Sequence, residues 1–204
     1  MLIGTHALIQ DDVELNNLGL VVTDEQHRFG VEQRSRLINK NKRADVLVMT
    51  ATPIPRTLSL YLYSDLDISI IDELPPGRKP IDTMLVDMNQ RMKAYNFALK
   101  EVEKGRQFYI VSPLIEENEK LNLNSVEKIY EELKNGIFKD VRIEILHGKM
   151  AGKDKDKIIN TFKNGEIKGI ISTTVIEVGV NVPNSTMMII ENAERFGLAQ
   201  LHQL

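Results

Sequence analysis

Short apolar runs rich in β-branched residues alternate along this chain with segments of helical spacing, and this alternation constrains the fold most strongly. Near-continuous apolar strands separated by helices are typical of a mostly parallel sheet that is covered on both faces. The pattern therefore predicts an α/β fold with functional loops at the carboxyl ends of the strands. The predicted strands span 18–25, 44–52, 67–72, 107–112, 141–148, 167–174 and 186–192.

Helical spacing and helix stop signals predict three helices between some of these strands. They span about 87–104, 125–135 and 152–164, and they end at Gly105, Gly136 and Gly165. The segment ELPPGRKPID (73–82) is too rich in proline for a helix or a central strand. It is either a long surface turn or a hinge between two α/β units, and we expect a linker at 74–80.

Composition excludes several classes of protein. No apolar run approaches the roughly 18 residues that span a bilayer, and the first residues lack the basic start of a secretory signal. The chain has no Cys, which excludes disulfides and cysteine metal sites and favours a reducing cytoplasm. Its formal net charge is −3, so any binding of nucleic acid must depend on local patches rather than on bulk charge.

The strand LGLVVTDE ends in two consecutive carboxylates, Asp24 and Glu25. A hydrophobic strand with this ending is typical of the Walker B element of enzymes that split phosphoanhydrides. In that chemistry the first acid holds Mg²⁺ through its water shell, and the second polarises the attacking water. The alternative is a strand that exits into an acidic loop, and the motif alone leaves both interpretations open.

Small hydroxyl residues follow two further predicted strands. TATPIPRT begins with Thr50 and Thr52, and ISTTVIEVGVNVP contains Thr173 and Thr174. Hydroxyls and exposed amides at a strand end suit contacts with phosphate or sugar-phosphate that read no base. LHGKM (146–150) ends a strand in a similar way. Each of these motifs, taken singly, is also compatible with an ordinary structural loop.

Together and in this order, the motifs resemble those of the RecG-like proteins, the ATP-dependent branch-migrating DNA helicases of superfamily 2. The resemblance covers essentially the whole chain. It rests on IGTHALIQ (3–10), VVTDEQHRFGVEQR (21–34), TATPIPRTL (50–58), DELPPGRKPI (72–81), LHGKM (146–150), STTVIEVGVNVPNS (172–185) and IENAERFGLAQLHQL (190–204). The core of the transcription–repair coupling translocase is an alternative, but DEQH at 24–27 favours the RecG-like helicases.

The resemblance implies two RecA-like lobes of parallel sheet, with ATP between them and duplex DNA across the top. Residues 1–73 would form the carboxyl-terminal part of an incomplete first lobe, with the Walker B and TAT motifs. Residues 74–80 would form the linker, and residues 81–204 the second lobe, truncated before the arginine-finger motif.

The resemblance also implies roles for individual residues. Asp24 resembles the Mg²⁺ ligand and Glu25 the catalytic acid, while Gln26 and His27 would sense the γ-phosphate of ATP. Other residues of the nucleotide site would be Thr50, Thr52, Gly179 and Asn181, the last of which stands where the family usually has Asp. Contacts to branched double-stranded DNA, such as forks and Holliday junctions, would come from Gly4, Thr5, His6, His147, Gly148, Thr173 and Thr174.

Two elements of the family are not found in the sequence. The chain contains no GxxxxGK[ST] phosphate loop, and it ends before the arginine-rich segment that follows LHQL in the family. We therefore expect a fragment of a cytoplasmic helicase that does not hydrolyse ATP by itself. The missing phosphate-loop strand would leave 46–50 with an unpaired side or let 68–71 pair with it. A truncated, non-catalytic interaction module is the alternative from another functional class.

Overall fold

The computed structural model describes residues 1–10, 13, 17–24, 44–50, 67–73, 80–113, 119–173 and 182–204. Contacts divide the chain into two compact units. The first unit comprises Met1–Ile68 with Gln203, and the second comprises Ser69–His202 with Leu204. Most of the linker expected at 74–80 lies outside the described residues, so that boundary stays a prediction.

The described part of the first unit contains a parallel pair of strands, β1 (Leu20–Thr23) and β2 (Asp45–Val48). In register, Leu20 lies beside Asp45 and Thr23 beside Val48. Alternate side chains of β1 point to opposite faces, which buries Val21 and Thr23 and leaves Leu20 exposed. A 3₁₀ helix, His6–Ile9, precedes this pair.

The second unit contains a four-stranded parallel sheet and four described α-helices. The strands are β3 (Gln107–Val111), β4 (Ile143–Leu146), β5 (Gly169–Ser172) and β6 (Ser185–Ile190), in the order β4-β5-β3-β6. The helices are α1 (Arg91–Glu103), α2 (Glu119–Asn135), α3 (Gly152–Lys163) and α4 (Leu198–Gln203). Short 3₁₀ helices span Met88–Gln90 and Ala193–Arg195.

Helices α1 and α3 end where the sequence predicts. Gly105 and Gly165 have φ of +83° and +79°, a left-handed conformation that glycine adopts without steric cost just after a helix. The predicted third helix therefore agrees closely with α3, and the first begins with a 3₁₀ turn before α1. Helix α2 begins earlier than the predicted 125, at Glu119.

Apolar side chains cover both faces of the second sheet, as the alternating pattern predicts. One core contains Phe108 and Ile110 of β3 together with residues of α1 and α2 such as Tyr95 and Leu133. The other contains Tyr109 of β3, which faces the opposite side and packs against residues of α3. The predicted α/β class with parallel sheets is thus confirmed.

The strand predicted at 67–72 is wrong, because residues 67–73 form no strand. Ile70 and Ile71 are 76% and 94% exposed. Apolar, β-branched residues favour a strand only when a neighbouring strand satisfies their backbone groups. Among the described residues, β2 pairs with β1 alone, so 68–71 does not pair with it.

Within the described ranges, no helix is both long enough and apolar enough to cross a membrane.

Candidate functional site

The carboxyl ends of β1 and β2 lie side by side at one edge of the first sheet. Thr23 is in register with Val48, and the backbone N–H of Met49 donates to the Thr23 carbonyl at 2.8 Å. Asp24 follows Thr23, and Thr50 follows Met49. Asp24 and Thr50 therefore lie at the same edge of the sheet, at the ends of neighbouring strands. Glu25, Gln26, His27 and Thr52 lie outside the described residues.

Asp24 and Thr50 offer a carboxylate and a hydroxyl oxygen at this edge. Such oxygen donors suit a hard cation such as Mg²⁺, which usually keeps several waters and takes one or two carboxylates from the protein. Among the described residues, no group of three or more His, Cys, Asp or Glu side chains could hold a metal ion.

The carboxyl ends of all four strands of the second sheet also meet at one edge. Leu146 and Val111 are both in register with Ser172, and Val111 is in register with Ile190. The residues that follow these strand ends are His147, Ser112, Thr173 and Glu191. The structure thus brings two predicted site residues, His147 and Thr173, to the same edge and adds two that the sequence did not single out.

The centre of this edge is buried and polar. Ser112, Ser172 and Thr173 are each at most 4% exposed. The Ser172 hydroxyl donates to the Thr173 carbonyl at 2.7 Å, and the Ser112 amide donates to the Ser172 carbonyl at 2.8 Å. Within the described part of the chain, the Ser112 hydroxyl has no hydrogen-bond partner. Burying a hydroxyl without a hydrogen-bond partner is energetically costly.

His147 and Gly148 form the outer part of this edge. Burial lowers the pKa of His147, and the nearby charges of Lys155 and Lys149 lower it further, against an opposing effect of Glu127. The imidazole is therefore neutral at physiological pH. Lys155 donates from Nζ to the Gly148 carbonyl at 2.5 Å, which holds an ammonium group next to the strand end.

Glu191 is the acid that sequence analysis missed. Its carboxylate is 6% exposed, and the single Nε–H of Arg91 is shared between the two carboxylate oxygens, at 3.0 and 3.2 Å from Nε. The Tyr95 hydroxyl donates to the same carboxylate. Arg91 precedes Glu191 by 100 residues, so no local pattern could indicate the pair. The only sequence signal was an acid directly after an apolar strand, the same signal that singled out Asp24.

The remaining predicted residues are placed only in part. Thr5 precedes the 3₁₀ helix His6–Ile9, and its carbonyl accepts a hydrogen bond from the Leu8 amide at 3.0 Å. Gly4 and Thr5 are exposed. Thr174, Gly179 and Asn181 lie outside the described residues.

Comparison with known families assigns the chain to a class. Residues 89–204 match the helicase conserved C-terminal domain, and residues 1–60 match the DEAD/DEAH box helicase family. The chain belongs to the helicase conserved C-terminal domain family, and its parallel-sheet units have the fold of RecA-like helicase domains.

Within this class the chain is similar to RecG. It is 53% identical to the ATP-dependent DNA helicase RecG of Thermotoga maritima over all of its length and 26% of that protein. It is 50% identical to RecG of Bacillus subtilis, of which it covers 30%. A solved structure of RecG bound to a three-way DNA junction matches 99% of the chain at 50% identity, with a TM-score of 0.68, and the chain covers 26% of it. The resemblance to RecG-like helicases that the motifs predict is confirmed.

Proposed function

We propose that this chain is part of an ATP-dependent DNA helicase that remodels replication forks and recombination junctions by branch migration. The observation that carries the proposal is 50–55% identity to RecG helicases along the whole chain. The chain spans 26–30% of the length of these relatives, so the activity is that of a longer protein.

In the first unit, the proposed chemistry uses the edge where β1 and β2 end. Asp24 would hold Mg²⁺ through its water shell, and the bound ion would draw negative charge from the phosphates of ATP. Glu25 would orient and polarise the attacking water, while Gln26 and His27 would contact the γ-phosphate. The position of Asp24 beside Thr50 supports these roles, because phosphoryl transfer depends on positioned oxygen ligands and a water held in line.

In the second unit, the proposed role is contact with the DNA backbone. His147, Gly148 and Thr173 stand at one sheet edge, near the ammonium group of Lys155. Hydroxyl, amide and ammonium donors bind phosphate without reading the base. A translocase needs such contacts, since it must grip every sequence and release it in each cycle.

The 204-residue polypeptide by itself is expected to have no measurable ATPase activity, with or without branched DNA. It contains no GxxxxGK[ST] segment, which supplies the amides and the Lys that hold the β- and γ-phosphates in such enzymes. An arginine finger, which the resemblance assigns to the segment after LHQL, is worth about 10³–10⁵ in rate in related reactions. DNA-stimulated turnover by the pure 204-residue chain would contradict this expectation.

The test of the proposed function uses a longer protein that contains this chain, a phosphate loop and the arginine-rich segment. Wild type should hydrolyse ATP in the presence of forked DNA and unwind the fork. Glu25→Gln keeps the shape of the side chain but removes the base, so hydrolysis should fall by roughly 10²–10⁴ while ATP–Mg²⁺ still binds. Asp24→Asn should instead weaken the Mg²⁺-dependent binding of ATP.

Asp45→Asn is the matched control, because Asp45 begins β2 and therefore lies at the opposite edge of the same pair of strands. It removes the same charge and should leave turnover close to wild type. If Glu25→Gln unwinds forks at normal speed, Glu25 is a solvated loop residue and not the catalytic acid. If wild type shows no ATPase with forked DNA, the interaction-module alternative is favoured.

A further inference from the structure

The side chain of Glu191, at the carboxyl end of β6, is held by two residues of α1, Arg91 and Tyr95. Arg91 donates from Nε to both carboxylate oxygens and from Nη1 to Glu132 of α2 at 3.1 Å. The guanidinium also lies 5.0 Å from the centre of the Tyr95 ring. A buried carboxylate is stable only when it is paired and hydrogen-bonded, and this one has both a cation and a hydroxyl donor.

Tyr95 acts as a donor in this cluster. Burial raises the pKa of Tyr95, and the hydrogen bond to Glu191 raises it further, so the phenol stays protonated at physiological pH. Its ring is fully buried and packs edge-on against Phe138 at 6.2 Å between centroids. The hydroxyl therefore has a fixed position from which it reaches the Glu191 carboxylate.

Glu191 is also fixed by its backbone, directly before the chain changes direction. Its amide donates to the Val111 carbonyl of β3 at 2.8 Å. The next residue, Asn192, has φ 49° and ψ 50°, the left-handed conformation, and leads into the 3₁₀ helix Ala193–Arg195. Phe196, at the end of that turn, is 8% exposed. The segment 192–197 is thus anchored by Glu191 at one end and Phe196 at the other.

We propose that Arg91 and Tyr95 are positioning residues, which hold Glu191 and so fix the direction in which residues 192–204 leave the sheet. This rests on the proposed function, in which that segment leads to the arginine finger. Arg91 is the first residue of α1, which follows the proline-rich segment in the chain. The cluster therefore connects the start of the second unit's first helix to the segment that would lead to the arginine finger.

The first test measures hydrogen exchange of the amides of 192–197 in the 204-residue chain, which requires no enzymatic activity. Tyr95→Phe and Arg91→Gln should each speed this exchange about tenfold or more, the fold-change for loss of a hydrogen bond to a charged group. Arg91→Lys, which keeps the charge but loses the planar fork, should have a smaller effect.

Arg106→Gln is the matched control. Arg106 also pairs with a buried glutamate, Glu101, but this pair lies at the amino end of β3. It should alter exchange near 101–107 and leave 192–197 unchanged. If Tyr95→Phe and Arg91→Gln both leave exchange of 192–197 at the wild-type rate, while circular dichroism shows them folded, the cluster does not hold the segment and the proposal is refuted.

The second test is steady-state ATPase of the longer protein with forked DNA. Both variants should lower kcat about tenfold or more and leave KM for ATP within about twofold, because a contact made only in the transition state is disturbed. Faster exchange without a fall in kcat would refute the positioning role. A wild-type protein without DNA-stimulated ATPase would instead refute the proposed function, and the exchange comparison alone would then decide whether the cluster holds the segment.

Discussion

Gly169 in β5 is the position where the structure predicts the sharpest effect of adding a single methyl group. Gly169 lies beside Phe108 of β3 in register. A Cβ on Gly169 would lie 2.6 Å from Cε2 and 2.8 Å from Cε1 of that ring, and closer still to Cζ. Ordinary carbon contacts are about 3.5–4.0 Å, so Gly169→Ala requires the ring to move by about 1 Å.

The ring of Phe108 has little room to move. It is fully buried and stacks on Phe138 with centroids 4.8 Å apart. Overpacking of a well-packed core costs about 1–3 kcal/mol, and we expect Gly169→Ala to fall in the upper part of this range, at roughly 2–3 kcal/mol. Removing the ring should relieve the clash. Phe108→Leu alone should lower the free energy of unfolding by about 1–2 kcal/mol. The double variant, Gly169→Ala with Phe108→Leu, should lose at least about 1 kcal/mol less than the sum of the two single losses.

Urea denaturation followed by circular dichroism at the helix band measures these changes. All four described α-helices belong mainly to the second unit, so the loss of these helices on unfolding contributes to this signal. With a slope of about 1–3 kcal/mol per M urea, the midpoint of Gly169→Ala should drop by roughly 1–3 M. Gly152→Ala is the control, because nothing lies within 4 Å of a Cβ there, and its midpoint should not fall. Additive costs in the double variant would show that the Gly169–Phe108 contact is not the cause.

Three further predictions concern other parts of the chain. Lys104 and Arg106 donate hydrogen bonds to the Glu101 carboxylate and lower its pKa below the ordinary 4.5. The ionised Glu101 carboxylate therefore stabilises the fold above pH 4.5, and this stabilisation is lost as the pH falls through the lowered pKa. The difference in urea midpoint between wild type and Glu101→Gln should therefore be larger at about pH 7 than at about pH 3. Tyr109→Phe should not lower the thermal midpoint, since its buried hydroxyl has no partner among the described residues, and a lower midpoint would reveal one. Limited proteolysis should cut first near 74–80 and leave a resistant piece of about 120 residues, and a more resistant amino-terminal piece would place the boundary elsewhere.

The sequence was sufficient for the class of fold and for the family. Continuous apolar runs such as 107–112 are typical of strands that are buried on both faces of a sheet. Glycines such as Gly105 and Gly165 indicate helix ends, because they adopt the left-handed φ that ends many helices. Seven motifs of five to fifteen residues, in fixed order, identified the family because chance rarely reproduces such a series. These signals are local: each depends on residues that are close together in the sequence, so it can be read without knowledge of the folded chain.

Local signals gave a wrong prediction where strand formation depends on pairing with a neighbouring strand. Ile70 and Ile71 have strong strand preference, yet 67–73 forms no strand, because backbone hydrogen bonds need a neighbouring strand and not only suitable side chains. The earlier start of α2 at Glu119 was missed for a related reason, since its first turns lack the regular apolar spacing that the prediction used.

Only the tertiary structure determined which residues lie at the same sheet edge, and how burial and neighbouring groups affect their pKa and their hydrogen bonds. The strand order β4-β5-β3-β6 brings His147, Ser112, Thr173 and Glu191 together from four distant segments. Burial at that edge lowers the pKa of His147, and the buried Ser112 hydroxyl has no partner in the described part of the chain. The Arg91–Glu191 pair joins residues 100 positions apart. Sequence specifies which groups are available, but charge state and pairing depend on distance and on exclusion of water, which exist only once the sheet has formed.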